Sequence, residues 1–539
     1  MTKHPLHLEI QTHRGKPCGV IRSSFRVDGK VKHTSHGRIS GVPLNTLKLI
    51  QAAFRGDVIL KDDPAALCLL ASREYGASRA LLALADAIGL SYAIYSRHES
   101  WVRDCLAMIV GRVIYAGSKL SLSHQWKNTA LWELCGVSGE VNVREHCYAA
   151  MDRLLERQEG IQKHLASQHL KKGSLVLYDI TSSYFEGEYA DSEIVQFGYN
   201  RDGKRGHEQM VIGLLCSEEG CPVGVEVFAG NTQDASTVPD KIAEIQHRYG
   251  IKDLIFVGDR GMVTHSVLDE LKGVEGLSTI SALTHRQIVS LLERKVIEPD
   301  LFDEKNIVEV IDPDDLTRRY CLCRNPQSAK READTRAALL SRTRDELNRV
   351  AQTKRKGNAE YIGARVGRLL GKTKMGKFVI WSVEDGHLTW CFDEEKIAAE
   401  KLFDGCYIIC SNVPAKSMTK QELVASYKSL ALVENAFRNL KTVQLEVRPV
   451  YHKTDDRIRA HVFLCVLAYY LQWHMNQRLA PLFAEDGHHA ARQWTFKAVV
   501  ERLSAIRIQR VKISNTEFDH VTQPEADQQR ILNLLGVKL

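Results

Sequence analysis

The chain has 539 residues, of which 44% are hydrophobic and 26% are charged, and its formal net charge is +7. This composition is typical of globular proteins and excludes an intrinsically disordered or fibrous chain. The first residues contain no uninterrupted apolar core, and the longest strongly apolar run, Val462 to Leu471, is shorter than the roughly 20 residues that span a bilayer, so we expect a soluble, intracellular protein without a membrane partner.

Two different patterns precede the main domain. Residues 17–34 predict a β-hairpin around the turn-forming pair Asp28-Gly29, within a small amino-terminal region of residues 1–60. Residues 64–170 are rich in Ala, Leu, Glu and Arg, and their apolar residues recur at helical spacing. We therefore expect residues 61–172 to form a mainly helical domain that binds DNA.

Short apolar runs separated by turns begin at residue 173 and predict a mixed sheet with helices packed on it. In chain order we expect strands at 175–180, 210–216 and 223–228, a helix at 238–249, a strand at 254–257, a helix at 265–272 and a strand at 277–283. An RNase H-like α/β fold has that order. Residues 173–286 are therefore expected to be the first part of a catalytic core.

Residues 287–403 interrupt this pattern and concentrate the positive charge. The stretch from Arg324 to Lys377 contains 15 Lys or Arg against 5 Asp or Glu, a net of +10. Clustered charge of one sign is expected where a protein contacts DNA phosphates, and a solvated helical surface is the alternative. We interpret the segment as a basic insertion domain.

The insertion is expected to include a hairpin at 378–392 that turns at Asp385-Gly386. The core pattern resumes at residue 404, where we expect a strand at 406–410 and long helices at 420–440 and 456–476. Residues 404–480 then complete the core, and residues 481–539 form a carboxyl-terminal region.

The 13 cysteines are scattered through the chain. Only Cys321 and Cys323 lie close together in sequence, and no second pair follows at the spacing of a zinc site. We expect reduced, structural thiols.

Two aspartates follow apolar runs of the predicted sheet. Asp179 ends the run in LVLYDITSSYFEG, and Asp259 ends the run in LIFVGDRGM. A cap or turn residue explains either one alone, but a carboxylate at the end of a buried strand is costly unless it is paired or bound to metal. Two strands of one sheet can bring both carboxylates to the same edge.

A third carboxylate lies on the helix predicted at 420–440. Residues 423, 427, 430, 434, 437 and 441 form one helical stripe, which the apolar members mark as the inward face. Glu434 therefore occupies a position where an apolar residue is expected, which makes it a site candidate. The alternative is a salt bridge from Glu434 to Arg438 or Lys441.

Carboxylates are the ligands of hard divalent cations such as Mg²⁺, for which Mn²⁺ can substitute. Two such ions roughly 4 Å apart can activate the attacking oxygen and stabilise the leaving oxygen of a phosphodiester. The same centre accepts water or a DNA 3′-OH as the nucleophile, so DNA hydrolysis and strand joining become one chemistry.

Six stretches of the chain together resemble the DDE transposases of bacterial insertion sequences, in the group with a Tyr…Glu…Lys signature. They are LYDITSSYFEG, GYNRDGKRGHEQMVIGLL, VEVFAGNTQDASTV, FVGDRGM, YKSLALVENAFRNLKT and LEVRPVYHKTDDRIRAHVFLCVLAYYL. The resemblance implies an RNase H-like catalytic domain whose metal-binding catalytic triad is Asp179, Asp259 and Glu434.

The signature of that group is Tyr, two residues, Arg, three residues, Glu, six residues, Lys, and it reads here as Tyr427, Leu430, Glu434 and Lys441. Leucine replaces the arginine that contacts phosphate in the family, so Arg438 or Arg448 would have to supply charge from nearby. The residues expected to contact DNA are Tyr427, Lys441, Arg438, Arg260, Arg201, Lys354, Arg355 and Lys356.

The resemblance further implies a transposase that binds terminal inverted repeats and moves DNA by cutting and pasting with a divalent metal. Its partners would be the double-stranded DNA of the repeats and of the target, and it would act as a homodimer on DNA at the nucleoid, in the bacterial cytoplasm. The residues leave two other functions open, a nuclease that does not join strands and a catalytically silent DNA-binding relative.

Overall fold

A computed structural model describes residues 5–27, 30–56, 67–199, 201, 203–204, 206–302, 306–352, 359–443, 445–485, 493–513 and 516–539. The strands in these ranges are β1 (Leu6–His13), β2 (Lys16–Val27), β3 (Lys30–Ser40), β4 (Leu67–Glu74), β5 (Ser174–Tyr184), β6 (Gln209–Ser217), β7 (Pro222–Ala229), β8 (Leu254–Val257), β9 (Leu277–Ala282), β10 (Val308–Ile311), β11 (Arg319–Arg324), β12 (Val379–Glu384), β13 (His387–Phe392), β14 (Cys406–Ser411), β15 (Arg507–Ile513) and β16 (Thr516–Val521). The α-helices are α1 (Leu44–Arg55), α2 (Gly76–Ala87), α3 (Leu90–Ile94), α4 (Ser100–Tyr115), α5 (Lys119–His124), α6 (Leu131–Leu134), α7 (Ala149–Glu156), α8 (Gln158–His169), α9 (Val238–Ala243), α10 (His265–Glu270), α11 (His285–Glu293), α12 (Pro326–Ala351), α13 (Ala359–Thr373), α14 (Glu394–Lys401), α15 (Lys420–Lys428), α16 (Leu430–Arg438), α17 (Asp455–Glu485), α18 (Phe496–Ser504) and α19 (Ala526–Leu535).

The first of two compact units combines residues 1–75 with residues 504–525. One of its sheets has the order β1-β2-β3, and α1 lies against β1, where Gln51 Nε2 donates to the Leu8 carbonyl at 2.8 Å. The expected hairpin corresponds to β2 and β3, whose last rung pairs Val27 with Lys30. Its turn pair, Asp28-Gly29, lies outside the described residues.

The second sheet of this unit has the order β16-β15-β4, and it corrects the expectation of a helix from residue 64 onward. Leu67 pairs with Ile513 and Glu74 with Arg507, so β4 is a strand, and the helices begin at Gly76. The sequence prediction failed here because the partner strand lies more than 400 residues away, and local spacing does not reveal such a partner. From Gly76 to His169 the described segment is helical, as expected.

The second unit, residues 76–503 with 526–539, is built around a sheet of order β10-β11-β14-β9-β8-β5-β6-β7. Strands β5, β8 and β9 are parallel, whereas β6 runs antiparallel to both β5 and β7. In this sheet β5, β6 and β7 lie side by side, and β8 and then β9 follow on the other side of β5. This is the RNase H-like arrangement. The predicted fold class and the seven predicted core elements are therefore confirmed, with ends that shift by a few residues.

The expected insertion of residues 287–403 divides into two structural parts. Its strands β10 and β11 extend the main sheet beyond β14. The remainder packs as helices α12 and α13 against the hairpin β12–β13, around a cluster that includes Leu347, Val366 and Leu388. The predicted turn of that hairpin is confirmed, with positive φ at Asp385 and Gly386.

Helix α17 carries the long apolar run Val462–Leu471, and every residue of that run is buried. The run therefore serves as a core element of the second unit. Among the described residues no single helix has the length and apolarity to cross a bilayer, although the bent pair Ser100–Tyr115 and Lys119–Lys127 together satisfies both criteria.

The helix predicted at 420–440 is interrupted. It starts at the capping box of Thr419 and Glu422, stops at Ser429, restarts as α16, and continues from Asn439 to Val443 as a π-helical turn. The interruption changes which residues face inward, and this determines where the third candidate carboxylate lies.

Candidate active site

Asp179 lies inside β5 and not at its end, which corrects the sequence prediction. The strand continues for five residues to Tyr184, and Asp179 pairs with Leu214 of β6. On the other side, the parallel neighbour β8 stops at Val257, which pairs with Leu177. Asp179 is therefore the second residue beyond the point where its parallel partner ends.

Asp259 lies in the loop after β8. It follows Val257 by two residues, just as Asp179 follows Leu177, so the parallel register brings the two aspartates to the same level of the sheet. Neighbouring strands are about 4.8 Å apart, which places both carboxylates around one point. A Cβ at Gly258 would come within 3.1 Å of the Val263 side chain, so a larger residue in this link would require that side chain to shift.

The two faces of β5 have different roles. Val176, Tyr178 and Ile180 are buried in the hydrophobic cluster that also contains Phe256 and Ile242. Side chains alternate along a strand, so Asp179 and Thr181 point to the opposite face, where α16 lies against β5. The candidate site is therefore on the face that α16 covers.

Glu434 is exposed, so the expectation that it lies on an inward stripe is wrong. The buried residues of α16 are Leu430, Val433, Ala436 and Phe437, because the break at Ser429 rotates the helix relative to a continuous one. Glu434 instead lines an open cleft together with Asp259 and Tyr427. The alternative role of Glu434, a salt bridge to Arg438 or Lys441, stays a prediction.

The three carboxylates influence one another electrostatically. The pKa of Asp179 is raised to about 7, mainly by burial and also by the charges of Asp259 and Glu434, while the hydrogen bond from the Ile180 amide and the charge of Arg201 act in the opposite direction. A partly buried acid next to two other acids favours either a proton or a metal cation. Oxygen ligands of this kind fit Mg²⁺ or Mn²⁺ by their chemistry.

Tyr427 donates a hydrogen bond from its hydroxyl to Oδ1 of Asp259 at 3.2 Å. Burial and the charge of Asp259 raise the pKa of Tyr427 above its usual range, so the hydroxyl keeps its proton and remains a donor. The bond holds one oxygen of Asp259 and leaves the other available as a ligand.

Lys441 reaches β5 from the π-helical turn after α16. Its Nζ donates to Oγ1 of Thr181 at 2.6 Å, and Thr181 is on the same face of β5 as Asp179. The expected continuous helix from Glu434 to Lys441 is not present, but the lysine is nevertheless anchored beside the aspartate. Thr181 was not identified from the sequence, although its position two residues after Asp179 in a strand was a usable signal.

The replacement of the family arginine by Leu430 has a simple structural basis, since Leu430 is buried. Arg438 is exposed at the end of α16. Arg448 stacks over the ring of Tyr184 at 4.5 Å from its centroid, at the end of β5. Of the two residues expected to supply charge, Arg448 is thus the one whose side chain contacts β5, the strand that contains Asp179.

Arg201 forms an ion pair with Asp234, and its backbone amide donates to Oγ of Ser182 at 3.0 Å. It therefore lies beside β5, and its charge lowers the pKa of Asp179. The ion pair with Asp234 occupies part of the hydrogen-bonding capacity of the Arg201 guanidinium. Arg201 therefore offsets negative charge at the site and is also a candidate DNA contact.

A cleft of about 1000 Å³ begins at Asp259 and Glu434. The basic residues on its walls are Arg260, Arg331, Arg336, Lys374 and Lys377. Arg336 is held by Asp404 and Lys377 by Glu400, whereas Arg331 and Lys374 are exposed. These two were not singled out in the sequence, and Lys354, Arg355 and Lys356, which were, lie outside the described residues.

Comparison with known proteins gives one family match. Residues 171–471, more than half of the chain, match the family described as "Transposase DDE domain". No curated protein gives a significant sequence match. Solved structures with a matching chain include "Mos1 transposase paired-end complex with left transposon end", at 13% identity over 44% of this chain and 68% of that chain, with a TM-score of 0.15. At that TM-score the fold assignment rests on the strand order described above.

Proposed function

Because the chain belongs to the DDE transposase domain family, we propose that it cuts DNA strands and joins them to new sites, using Asp179, Asp259 and Glu434 to hold divalent metal. The proposal is supported by two observations: the charges of Asp259 and Glu434 act on Asp179, and the cleft that Asp259 and Glu434 line has more basic than acidic residues on the rest of its wall. A phosphodiester substrate needs both, a cation centre at the reacting phosphate and positive charge along the flanking backbone.

Mg²⁺, or Mn²⁺ in its place, would activate the attacking oxygen and stabilise the leaving oxygen. Asp179 would hold the cation as a deprotonated carboxylate, and Tyr427 orients Asp259 through the bond to Oδ1. Lys441, anchored by Thr181, is in position to neutralise a phosphate oxygen beside the aspartates. With Leu430 in place of the family arginine, more of this compensation falls on Lys441.

The DNA duplex would follow the cleft between Asp259 and the inserted helices, with Arg260, Arg331 and Lys374 on its phosphates. We propose that the segment containing Lys354, Arg355 and Lys356 adds contacts of the same kind. Recognition of terminal inverted repeats is assigned to the helical region of residues 76–169, a homodimer is proposed as the DNA-bound form, and the protein would act in the cytoplasm, where bacterial DNA is accessible.

The decisive experiment uses purified full-length protein, Mg²⁺ and labelled DNA that carries the inverted repeats flanking the gene. Cleavage that leaves 3′-OH ends, followed by joining to added target DNA, supports a transposase. Cleavage without joining identifies a nuclease. Binding without cleavage under either metal identifies a silent relative and contradicts the proposal.

A further inference from the structure

Three side chains that bind soft metal ions meet at one point of the second unit. His169 is the last residue of α8, Cys221 lies in the turn between β6 and β7, and His474 lies in α17. Their nitrogen and sulfur atoms are all within 4.8 Å of one another. None of the three belongs to the carboxylate site.

The β6–β7 turn holds Cys221 in a fixed position. The Ser217 amide donates to the Cys221 carbonyl at 2.9 Å, and the Cys221 amide donates to Oγ of Ser217 at 3.3 Å. Gly220 has a φ of +81°, which allows the tight return of the chain before the cysteine. The thiol is fully buried, so its direction is set by the turn and by the packing around it.

His169 has its ring orientation set by Tyr470. The Tyr470 hydroxyl donates to Oε1 of Gln168 at 3.5 Å, and it lies 3.0 Å from Nε2 of His169. When His169 Nε2–H donates to the Tyr470 hydroxyl, Nδ1 of His169 has its lone pair available for a metal ion. Histidines that bind metals commonly donate their second ring nitrogen in this way.

His474 offers a second imidazole. Its Nε2 is buried and has no hydrogen-bond partner within the described part of the chain. A buried nitrogen without a partner is costly, and a metal ion would satisfy it.

We propose that His169, Cys221 and His474 bind a zinc ion that ties α8, the β6–β7 turn and α17 together. One thiolate and two imidazoles are ligands of zinc, whereas Mg²⁺ prefers oxygen. Tetrahedral zinc would bring the ligand atoms to about 3.3–3.6 Å from one another, so the side chains close by roughly 1 Å. The fourth position is left to water or to the carboxylate of Glu219, whose charge acts on His169.

The sequence did not reveal this site, because zinc spacing was sought within short segments and these ligands come from distant parts of the chain. The function of the zinc ion is separate from catalysis on DNA, since the ion would cross-link α8, the β6–β7 turn and α17 without using the catalytic carboxylates. We therefore expect a protein that lacks the zinc site to be less stable, while its catalytic carboxylates still bind Mg²⁺.

The experiment measures metal in full-length protein purified without chelator, and then replaces zinc by cobalt. We expect one zinc per chain, and a cobalt spectrum with the intense near-ultraviolet band of a thiolate ligand. Cobalt at the carboxylate site gives no such band, which separates the two sites. Absence of the thiolate band in wild-type protein would overturn the proposal even if some zinc is found.

Variants locate the ion. Cys221→Ser should lose the thiolate band and the stoichiometric zinc, and His474→Gln should lower zinc affinity by at least about tenfold, the usual scale for loss of a metal-site interaction. Cys465→Ser is the matched control, because it removes another buried thiol of the same unit, on α17, without touching the cluster. Equal zinc content in Cys221→Ser and Cys465→Ser would assign the metal elsewhere.

Discussion

The aspartates and the glutamate of the proposed site are held by different kinds of support. Asp179 and Asp259 each follow by two residues the last pair of the β5–β8 ladder, Leu177 with Val257, so the sheet positions both backbones. Glu434 is exposed on α16, which begins where the preceding helix stops at Ser429. The sheet thus fixes where the site is, whereas the broken helix determines whether its third ligand is in place.

The largest expected effect comes from removing the charge of any one of the three carboxylates. Asp179→Asn, Asp259→Asn and Glu434→Gln should each lower the cleavage rate by roughly a thousandfold or more, because charge stabilisation by the metal is worth several kcal/mol. Binding to repeat DNA should persist and serves as the control. A variant that cleaves near the wild-type rate removes that residue from the site.

Variants that change side-chain length test whether β5 and α16 hold their carboxylates with the same rigidity. Asp179→Glu should be nearly as inactive as Asp179→Asn, since the pairing with Leu214 of β6 fixes the backbone at this position and leaves little room to accommodate an extra methylene. Glu434→Asp should keep measurable activity, roughly a tenth of wild type, because α16 can shift about its junction at Ser429. Equal losses in the two length variants would show that both supports are equally rigid.

Lys441 bridges the two supports through its bond to Thr181. Lys441→Ala should reduce cleavage by about 10- to 100-fold, the scale of one charged hydrogen bond. Thr181→Val should lose less, because the charge remains without its anchor, and Thr181→Ser is the matched control that keeps the hydroxyl. If Lys441→Ala melts at a much lower temperature while the folded fraction cleaves normally, the lysine is structural.

Arg331 and Lys374 line the cleft but belong to neither β5 nor α16. These two residues should affect DNA binding more than the cleavage rate. Arg331→Ala combined with Lys374→Ala should flatten the dependence of log affinity on log salt by up to about two, since each phosphate contact contributes roughly 0.9. Arg342→Ala with Arg365→Ala removes the same charge from exposed positions outside the cleft lining and should change the slope less. Identical slopes for the two pairs would indicate a solvated surface.

The smallest effect concerns stability without metal. The pKa of Asp179 is raised from 3.8 to about 7, so the folded state binds the extra proton between these values. This contribution to stability is complete below pH 4 and is lost as the pH rises through 7. The Tm of metal-free protein should fall over that window, Asp179→Asn should flatten the fall, and Mg²⁺ should raise Tm at pH 8. A metal-free Tm that follows the same course in both proteins would contradict it.

The core strands were predictable because each is a short apolar run bounded by turns, as in 254–257, where prediction and structure coincide. The proximity of Asp179 and Asp259 was also predictable, but for an incomplete reason. Both were taken as strand ends, whereas it is the register of β5 against the shorter β8 that aligns them. Register depends on a partner strand, which local sequence does not specify.

The predicted stripe is only partly inward, since Leu423, Leu430 and Phe437 are buried whereas Glu434 is exposed. A helical pattern assumes an unbroken helix, and the α-helix is interrupted at Ser429. The selection still reached a residue of the cleft, because the family signature pointed to the same position. Strand β4 and the His169–Cys221–His474 cluster were missed for a shared reason, since each depends on contacts between distant parts of the chain.

The pairing of β4 with β15 has a consequence for synthesis. About 430 residues separate Glu74 from Arg507, and a ribosome adding 5–20 residues per second needs roughly 20–90 s to make them. During that time β4 has no partner, and it carries Leu67, Leu69 and Leu70, which stay exposed even after pairing. The part of the protein that is translated first is therefore among the last to be completed, and until then its apolar strand edge is open to chaperones or to neighbouring nascent chains.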